Sequence, residues 1–363
     1  MKILFLTRYG AVGASSRYRT YQYLRRFADA GISCTVSPLF PDQYLSRRYD
    51  LGRPPLATSI VAYLRRLVVL RSLRRFDLVV VEKELFPYLP SGLERIALRR
   101  ARAYTLDFDD ALFHIYDEHR SPWVRRFLAH KYSHLMAGAA LVTAGNPYIA
   151  EYAKKFARRV EFLPTVVDMD RYPLRTEPGE PFTVGWIGTP HTAKYLHLIA
   201  DPLRAFFRAH PGRLLLVGAG SRLSLEGVPV ESLPWSEGTE AELLARMHVG
   251  IMPLPDKPLE RGKSGLKLIQ YMASSRPVIA SPVGVNVYIV TPNVGFLASS
   301  VAEWRDHLTT LAEAPALRRE MGSQARQRVA RDYSLAAWGP RYARMLADAC
   351  ATRDANAAQA RAS

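Results

Sequence analysis

Short runs of β-branched, aliphatic and aromatic residues recur along this chain, and each is followed by a stretch with helical spacing of its apolar positions. Lys2–Thr7 (KILFLT) is the first, followed by a helix over about Ser15–Ala30. Cys34–Leu39, Asp77–Glu82 (DLVVVE), Tyr104–Asp109 (YTLDFD) and Ala140–Ala144 (ALVTA) continue the series, with a long basic helix ahead of DLVVVE. Strands alternating with helices predict parallel sheets covered by helices on both faces, an α/β fold. Arg175–Pro181 (RTEPGEP) breaks the pattern with two prolines and a glycine and is expected to be a linker. TVGWIG, RLLLVG, VGIMPLP and PVIASP then open a second series. At about 150 residues per domain, a chain of this length holds two. The sequence places them at 1–174 and 182–335. Residues 336–350 form a closing helix that can return to the first domain, and the Ala-rich residues 351–363 are expected to be frayed.

Composition narrows the class. Hydrophobic residues make up 48 %, enough for two cores, and charged residues 23 %. Cys34 and Cys350 are the only cysteines, which argues against a disulfide framework and fits a reducing compartment. The opening MKILFLTRYG is too short an apolar run for a signal peptide, and no run of roughly 18 apolar residues could span a membrane. The expected location is therefore cytoplasmic. The formal charge of +17 favours anionic partners such as nucleotides or phospholipid headgroups. Nucleic acid is not favoured, because aromatic residues do not interleave with the basic runs in a base-stacking pattern.

In parallel α/β sheets ligands bind beyond the carboxyl ends of the strands, so the loops after strands are the candidates for chemistry. After the first strand comes GAVGASSRYR. Its Gly10 and Gly13 allow a tight turn, Ser15 or Ser16 can cap the next helix, and Arg17 and Arg19 add charge for an anion at the helix start. The alternative is an ordinary capped turn with solvated arginines. Asp107–Asp110 (DFDD) ends another strand. Its carboxylates can bind a divalent metal, serve as a base or accept from a sugar hydroxyl, or simply cap a helix. GWIGTPHTAK supplies Gly188, Thr189, His191, Thr192 and Lys194 around a helix N-terminus. ERGKSGLKLIQYMASSRP is the strongest segment. Lys263 and Lys267 flank a helix start among Gly262, Ser264, Gly265 and Leu266, and a helix dipole with two lysines can stabilise a leaving diphosphate. Gln270, about one turn on, can hydrogen-bond a ribose. GKS is not a phosphate loop, which would need glycine where Lys257 stands. Gly218-Ala-Gly220 is not a dinucleotide fingerprint, whose third glycine position holds Leu223.

Taken together, these segments resemble the retaining family 4 of glycosyltransferases. The resemblance spans roughly residues 1–345 and is clearest in GWIGTP, WSEGTEAELLARMHVGIMPLPD, ERGKSGLKLIQYMASSRPVIASPVGVN and NVGFLASSVAEWRDHL. VEFLPTVVDMDRY and RVARDYSL also match. It implies the GT-B fold, two Rossmann-like domains facing each other across a cleft, in a divergent bacterial-type member. The family's Glu-x7-Glu pair falls at Gly262 and Gln270 and is absent here. Glu260 can stand in for the first glutamate, which touches the donor sugar. The family's basic pair falls at Thr189 and Lys194, so only the lysine remains and Lys263 can supply the missing charge. A family histidine falls at Asp109 or Asp110.

What the resemblance implies is sugar transfer from a nucleotide diphosphate donor to an acceptor hydroxyl, with retention and without a metal or other cofactor, in glycan, cell-envelope or glycolipid synthesis. Asp109, Asp110, Lys194 and Lys263 are the expected catalytic groups. Gly13, Gly188, Thr189, Lys194, Glu260, Gly262, Lys263, Ser264, Gly265, Leu266, Lys267 and Gln270 are expected at the donor, and Ser16, Arg17 and Arg19 at the acceptor. The missing glutamates keep open a catalytically silent nucleotide- or lipid-binding relative, and a nucleotide-sugar epimerase is the other alternative. Ser59–Phe76 (SIVAYLRRLVVLRSLRRF) is a basic amphipathic pattern, with Ile60, Leu64, Leu67 and Val68 on one face. Either that face packs on the sheet, or it lies on an anionic membrane, where a glycan or lipid-linked acceptor would be met.

Overall fold

The structure is a computed structural model that describes residues 1–45, 56–220 and 223–362, with side chains except at 56 and 352–362. The chain divides into two compact units. One comprises Met1–Thr165, Gly262–Ser264 and Trp338–Ser363, the other Val166–Arg261 and Gly265–Ala337.

The first unit is built on a six-stranded parallel sheet. Its strands are β1 (Lys2–Leu6), β2 (Ser33–Val36), β3 (Leu78–Glu82), β4 (Tyr104–Phe108), β5 (Leu141–Ala144) and β6 (Val160–Phe162), in the order β2-β1-β3-β4-β5-β6. Central β3 and β5 are buried at every position, as expected for strands covered on both faces. The helix expected over Ser15–Ala30 is two helices, Ala14–Arg19 and Leu24–Asp29, joined by a 3-10 turn. Thr20 leaves helical geometry between them (φ −130°, ψ −63°). The closing helix runs Leu335–Ala362, so the backbone is helical where the sequence suggested fraying. Ser363, the last residue of the tail expectation, lies outside the described residues.

The second unit repeats the plan with β7 (Phe182–Ile187), β8 (Gly212–Val217), β9 (Val230–Leu233), β10 (Val249–Met252), β11 (Val278–Ala280) and β12 (Gly295–Leu297), ordered β12-β11-β10-β7-β8-β9. The chain from Val166 belongs to this unit, ahead of the polar Arg175–Pro181 stretch. Val167 N–H donates to the Tyr333 carbonyl (3.0 Å), the Leu335 N–H to the Val167 carbonyl (2.8 Å), and Tyr172 Oη to Glu240 (2.6 Å). Among the described residues no helix is long and apolar enough to cross a membrane.

Candidate functional site

Each sheet has one place where the connections reverse direction. In the first it lies between β1 and β3, in the second between β7 and β10. The crevice beyond the carboxyl ends of such a strand pair is the usual ligand position in open α/β sheets. The chemistry-bearing residues of each unit gather there.

In the first unit, β1 runs into the glycine-containing loop and β3 ends on Glu82, Lys83 and Glu84. Lys83 adopts φ +69°, a left-handed conformation that a non-glycine residue holds only when its surroundings enforce it. Its buried ammonium lies 2.9 Å from Asp109 Oδ1 and donates to Ser15 Oγ at 2.7 Å; Ser15 Oγ in turn donates to Asp109 Oδ2 at 2.5 Å. Burial alone would push the Asp109 carboxyl up, but Lys83, the Ser15 hydroxyl and Arg19 outweigh it and hold the group well below the usual carboxylate range. Burial would likewise lower Lys83, yet Asp109 and Glu82 hold it above its ordinary value. Asp110 pairs with Lys263 Nζ at 3.0 Å. Burial opposes the Lys263 charge, and Asp110 more than restores it, raising its pKa. Lys263 sits in the short segment Gly262–Ser264 that packs with the first unit, where its carbonyl accepts from Asn146 Nδ2 at 3.1 Å. A Cβ on Gly262 would meet that of Ala111 at 2.1 Å.

Three residues expected at the acceptor prove to be interior supports. Arg19 is buried and forked onto Asp107, with Nε to Oδ2 at 2.9 Å and Nη2 to Oδ1 at 2.5 Å, and Nη1 donates to the Leu163 carbonyl. Arg17 is also buried and reaches the Ala11 and Val12 carbonyls, tying down the loop from below. Ser16 Oγ donates to Glu82 at 2.6 Å and accepts from the Tyr9 N–H. Neither arginine is solvated, because each has a partner that offsets its desolvation. Gly13, expected at the donor, precedes this helix and leaves room for Tyr9, whose Cβ would lie 2.5 Å from an added Cβ.

In the second unit, β7 leads into Gly188 and Thr189, the N-cap of the helix Pro190–Ala193. The helix Leu266–Ala273 starts beside it from Gly265, whose φ of +69° and closeness to Ile289 leave room for no side chain. Tyr271, on the same helix, accepts the Ile187 N–H at 2.8 Å and so fixes the helix against β7. Lys267 in its first turn places Nζ 4.2 Å above the Trp186 ring and 3.4 Å from Thr192 Oγ1. A Cβ on Gly188 would come within 2.8 Å of that ammonium, so glycine is what lets the cation reach the strand end. Glu260 is buried and accepts from Tyr195 Oη. Gln270 is buried, Ser264 and Leu266 are half-buried, and Lys194 is exposed with Nζ 5.4 Å from the Tyr195 ring centroid. The second unit thus brings together Gly188, Thr189, Gly265 and Lys267, while Gly262 and Lys263 pack with the first unit.

Sequence reasoning missed Lys83, Trp186 and Tyr195. The signal for Lys83 was present: Glu-Lys-Glu directly after the fully apolar LVVV is a charge cluster at a strand's carboxyl end.

Comparison with known proteins matches residues 181–314, which lie mostly in the second unit, to the family model described as "Glycosyl transferases group 1". No curated protein matches the chain by sequence. Among solved structures it is similar to sucrose-phosphate synthase from Thermosynechococcus elongatus (15 % identity, TM-score 0.72, over 97 % of this chain and 100 % of that one). It is also similar to Anabaena HepE in complex with UDP-glucose (19 %, 0.66, over 96 % and 100 %) and to a glycosyltransferase from Rickettsia africae (12 %, 0.69, over 96 % and 98 %). The chain therefore has the α/β fold of the GT-B glycosyltransferases, with a group 1 segment covering all six strands of its second sheet.

Proposed function

We propose that this protein transfers a sugar from a nucleotide diphosphate donor, bound by the second unit, to a hydroxyl of an acceptor bound by the first, with retention at the anomeric carbon. The observation that carries the reading is Lys267 at the start of the helix Leu266–Ala273, facing the Gly188 turn at the β7/β10 reversal. A helix N-terminus with a lysine beside a glycine turn favours a diphosphate, most of all when it departs with full charge. The UDP-glucose complex of the similarly folded Anabaena protein supports a nucleotide sugar as donor. Lys194, exposed on the neighbouring turn, can reach the same phosphates. In the first unit, Lys83, Ser15 and Asp109 form a polar floor for an acceptor hydroxyl. The acceptor proton passes to the departing phosphate, so no separate base is needed.

The reading includes catalysis without a metal. Asp107, Asp109 and Asp110 each face a different cation, namely Arg19, Lys83 and Lys263. Turnover is expected to survive EDTA; its abolition by EDTA and recovery with manganese would make these carboxylates metal ligands. A panel of nucleotide diphosphate sugars should raise the melting temperature, since a donor at about 100 times its Kd adds about 2.7 kcal/mol. Donor hydrolysis and transfer in the same panel then separate an enzyme from a silent relative, the reading favoured by Gly262 and Gln270 standing where the family's glutamates would be. Stabilisation without turnover of any donor would favour the silent relative. A cytoplasmic location and peripheral contact with an anionic membrane, serving envelope or glycolipid synthesis, belong to the same proposal.

A further inference from the structure

The helix Leu56–Leu70 is apolar on both sides. Ala62, Arg66 and Leu70 face the protein, with Arg66 donating to the Thr7 and Ser37 carbonyls at 2.8 and 3.1 Å. Ile60, Leu64, Leu67 and Val68 face solvent, each more than half exposed. A helix on the surface of a soluble domain usually carries charged and polar residues on its outer face. The expectation that this apolar face packs on the sheet therefore fails.

The same exposure recurs on two neighbouring elements of the first unit. On the helix Pro122–Leu128, Trp123 is 70 % and Phe127 61 % exposed, their rings parallel with centroids 6.2 Å apart. On the helix Ser91–Leu98, Leu93 and Ile96 are more than half exposed. One loop, Leu85–Leu89, holds all three elements together. Tyr63 of the first helix donates to the Pro87 carbonyl (2.6 Å), Glu94 accepts from the Leu85 and Phe86 N–H groups, and the exposed Tyr88 ring meets His119, whose Nδ1 accepts from the Ser121 N–H. This loop follows Lys83 and Glu84, at the end of the sheet that carries the candidate acceptor site.

Charge on these elements has one sign. Residues 56–76 contain five arginines and residues 119–131 three, with no acidic residue in either stretch. In residues 91–103 the one acid, Glu94, is buried, beside four arginines. Large apolar side chains exposed on adjoining elements mark an interaction surface. A symmetric contact with a second copy would set these arginines against their equals. We infer that this face of the first unit docks on an anionic lipid bilayer, inserting Trp123, Phe127 and the Ile60–Val68 stripe below the headgroups while the exposed arginines, Arg66 not among them, pair with lipid phosphates. The inference rests on the proposed function only for its consequence: the acceptor hydroxyl is presented at the headgroup level, on an amphiphile.

The test is flotation of the full chain with phosphatidylglycerol-containing and pure phosphatidylcholine vesicles at low and high salt. Nucleotide-induced melting shifts are followed in parallel, as a readout of donor binding that does not depend on lipid. Binding is expected on anionic vesicles and to weaken with salt. Trp123→Ser/Phe127→Ser and Leu64→Ser/Leu67→Ser should each reduce it on the order of tenfold or more, with melting temperature and nucleotide shifts unchanged. Absence of flotation, equal recovery on neutral vesicles, or wild-type binding by both double variants would overturn the proposal. Salt-insensitive self-association abolished by the same variants would overturn it in favour of a dimer. Loss of the nucleotide shift with flotation intact would count against the proposed function and leave the docking face standing.

Discussion

A Lys131→Met chain is expected to lose about 3–5 kcal/mol of stability, the cost of removing one partner from a buried charge network. The Lys131 side chain is fully buried, with Nζ 2.6 Å from Glu84 Oε2, 2.7 Å from Glu94 Oε1 and 2.6 Å from the Phe86 carbonyl. Glu84 also accepts from the Tyr116 and Tyr132 hydroxyls, and Glu94 from two backbone N–H groups. Burial pushes both carboxyls up; Lys131 and Arg8 overcome this at Glu84, which ends below its ordinary value, whereas Glu94 stays above. Without the lysine, both would be raised. A carboxyl raised in the folded state favours folding below its unfolded pKa and loses that contribution as pH rises through the folded value. The deficit of the variant should therefore be largest at neutral pH and shrink toward mildly acidic pH. Urea unfolding at several pH values measures it. Combining Lys131→Met with Glu84→Gln and Glu94→Gln should recover part of the loss, because no uncompensated charge then remains. A single variant within about 1 kcal/mol of wild type at neutral pH would show that water reaches the network.

Turnover by Lys267→Met should fall on the order of 100-fold or more, the usual cost of losing one donor aimed at charge that develops in the transition state. Stability should change little, since the contact with the Trp186 ring is worth about 1 kcal/mol and the hydrogen bond to Thr192 is long. Lys267→Arg should recover part of the rate. Single-turnover measurement with saturating donor separates loss of chemistry from loss of binding. Wild-type single-turnover rates would remove Lys267 from the leaving-group site and shift attention to Lys194.

How far the sequence reaches depends on where each partner sits along the chain. β1, β3, β7 and β8 were legible because a strand buried on both faces is an almost unbroken apolar run, as in KILFL and RLLLV. β6 and β12 are edge strands of three residues, too short to show a period, and the edge strand β9 has no fully buried position. The Gly265–Lys267 helix start was legible for a local reason: its glycine, lysine and apolar face follow one another directly. Arg17 and Arg19 were not. Whether an arginine after a strand is solvated or interior depends on a partner such as Asp107, which only the sheet brings near. The helix Leu56–Leu70 shows the limit most clearly. Its pattern gives a correct stripe and no means of telling which side faces the protein, because Arg66 finds its acceptors on the distant Thr7 and Ser37 carbonyls.

The closing helix sets the order in which this protein can be finished during synthesis. Tyr342 packs edge-on against Tyr23 and Phe27, ring centroids 5.1 and 5.4 Å away, and Phe27 stacks on Phe5 of β1. That aromatic face is complete only when Trp338 and the residues after it join the first unit. At about 5–20 residues per second, roughly 15–60 s separate the emergence of Phe27 from that of Tyr342. Throughout that interval the nascent first unit shows an uncovered aromatic surface beside β1. It is during this window that the chain most needs protection from its neighbours, and a ribosome stalled before Trp338 would leave the first unit with that surface bare.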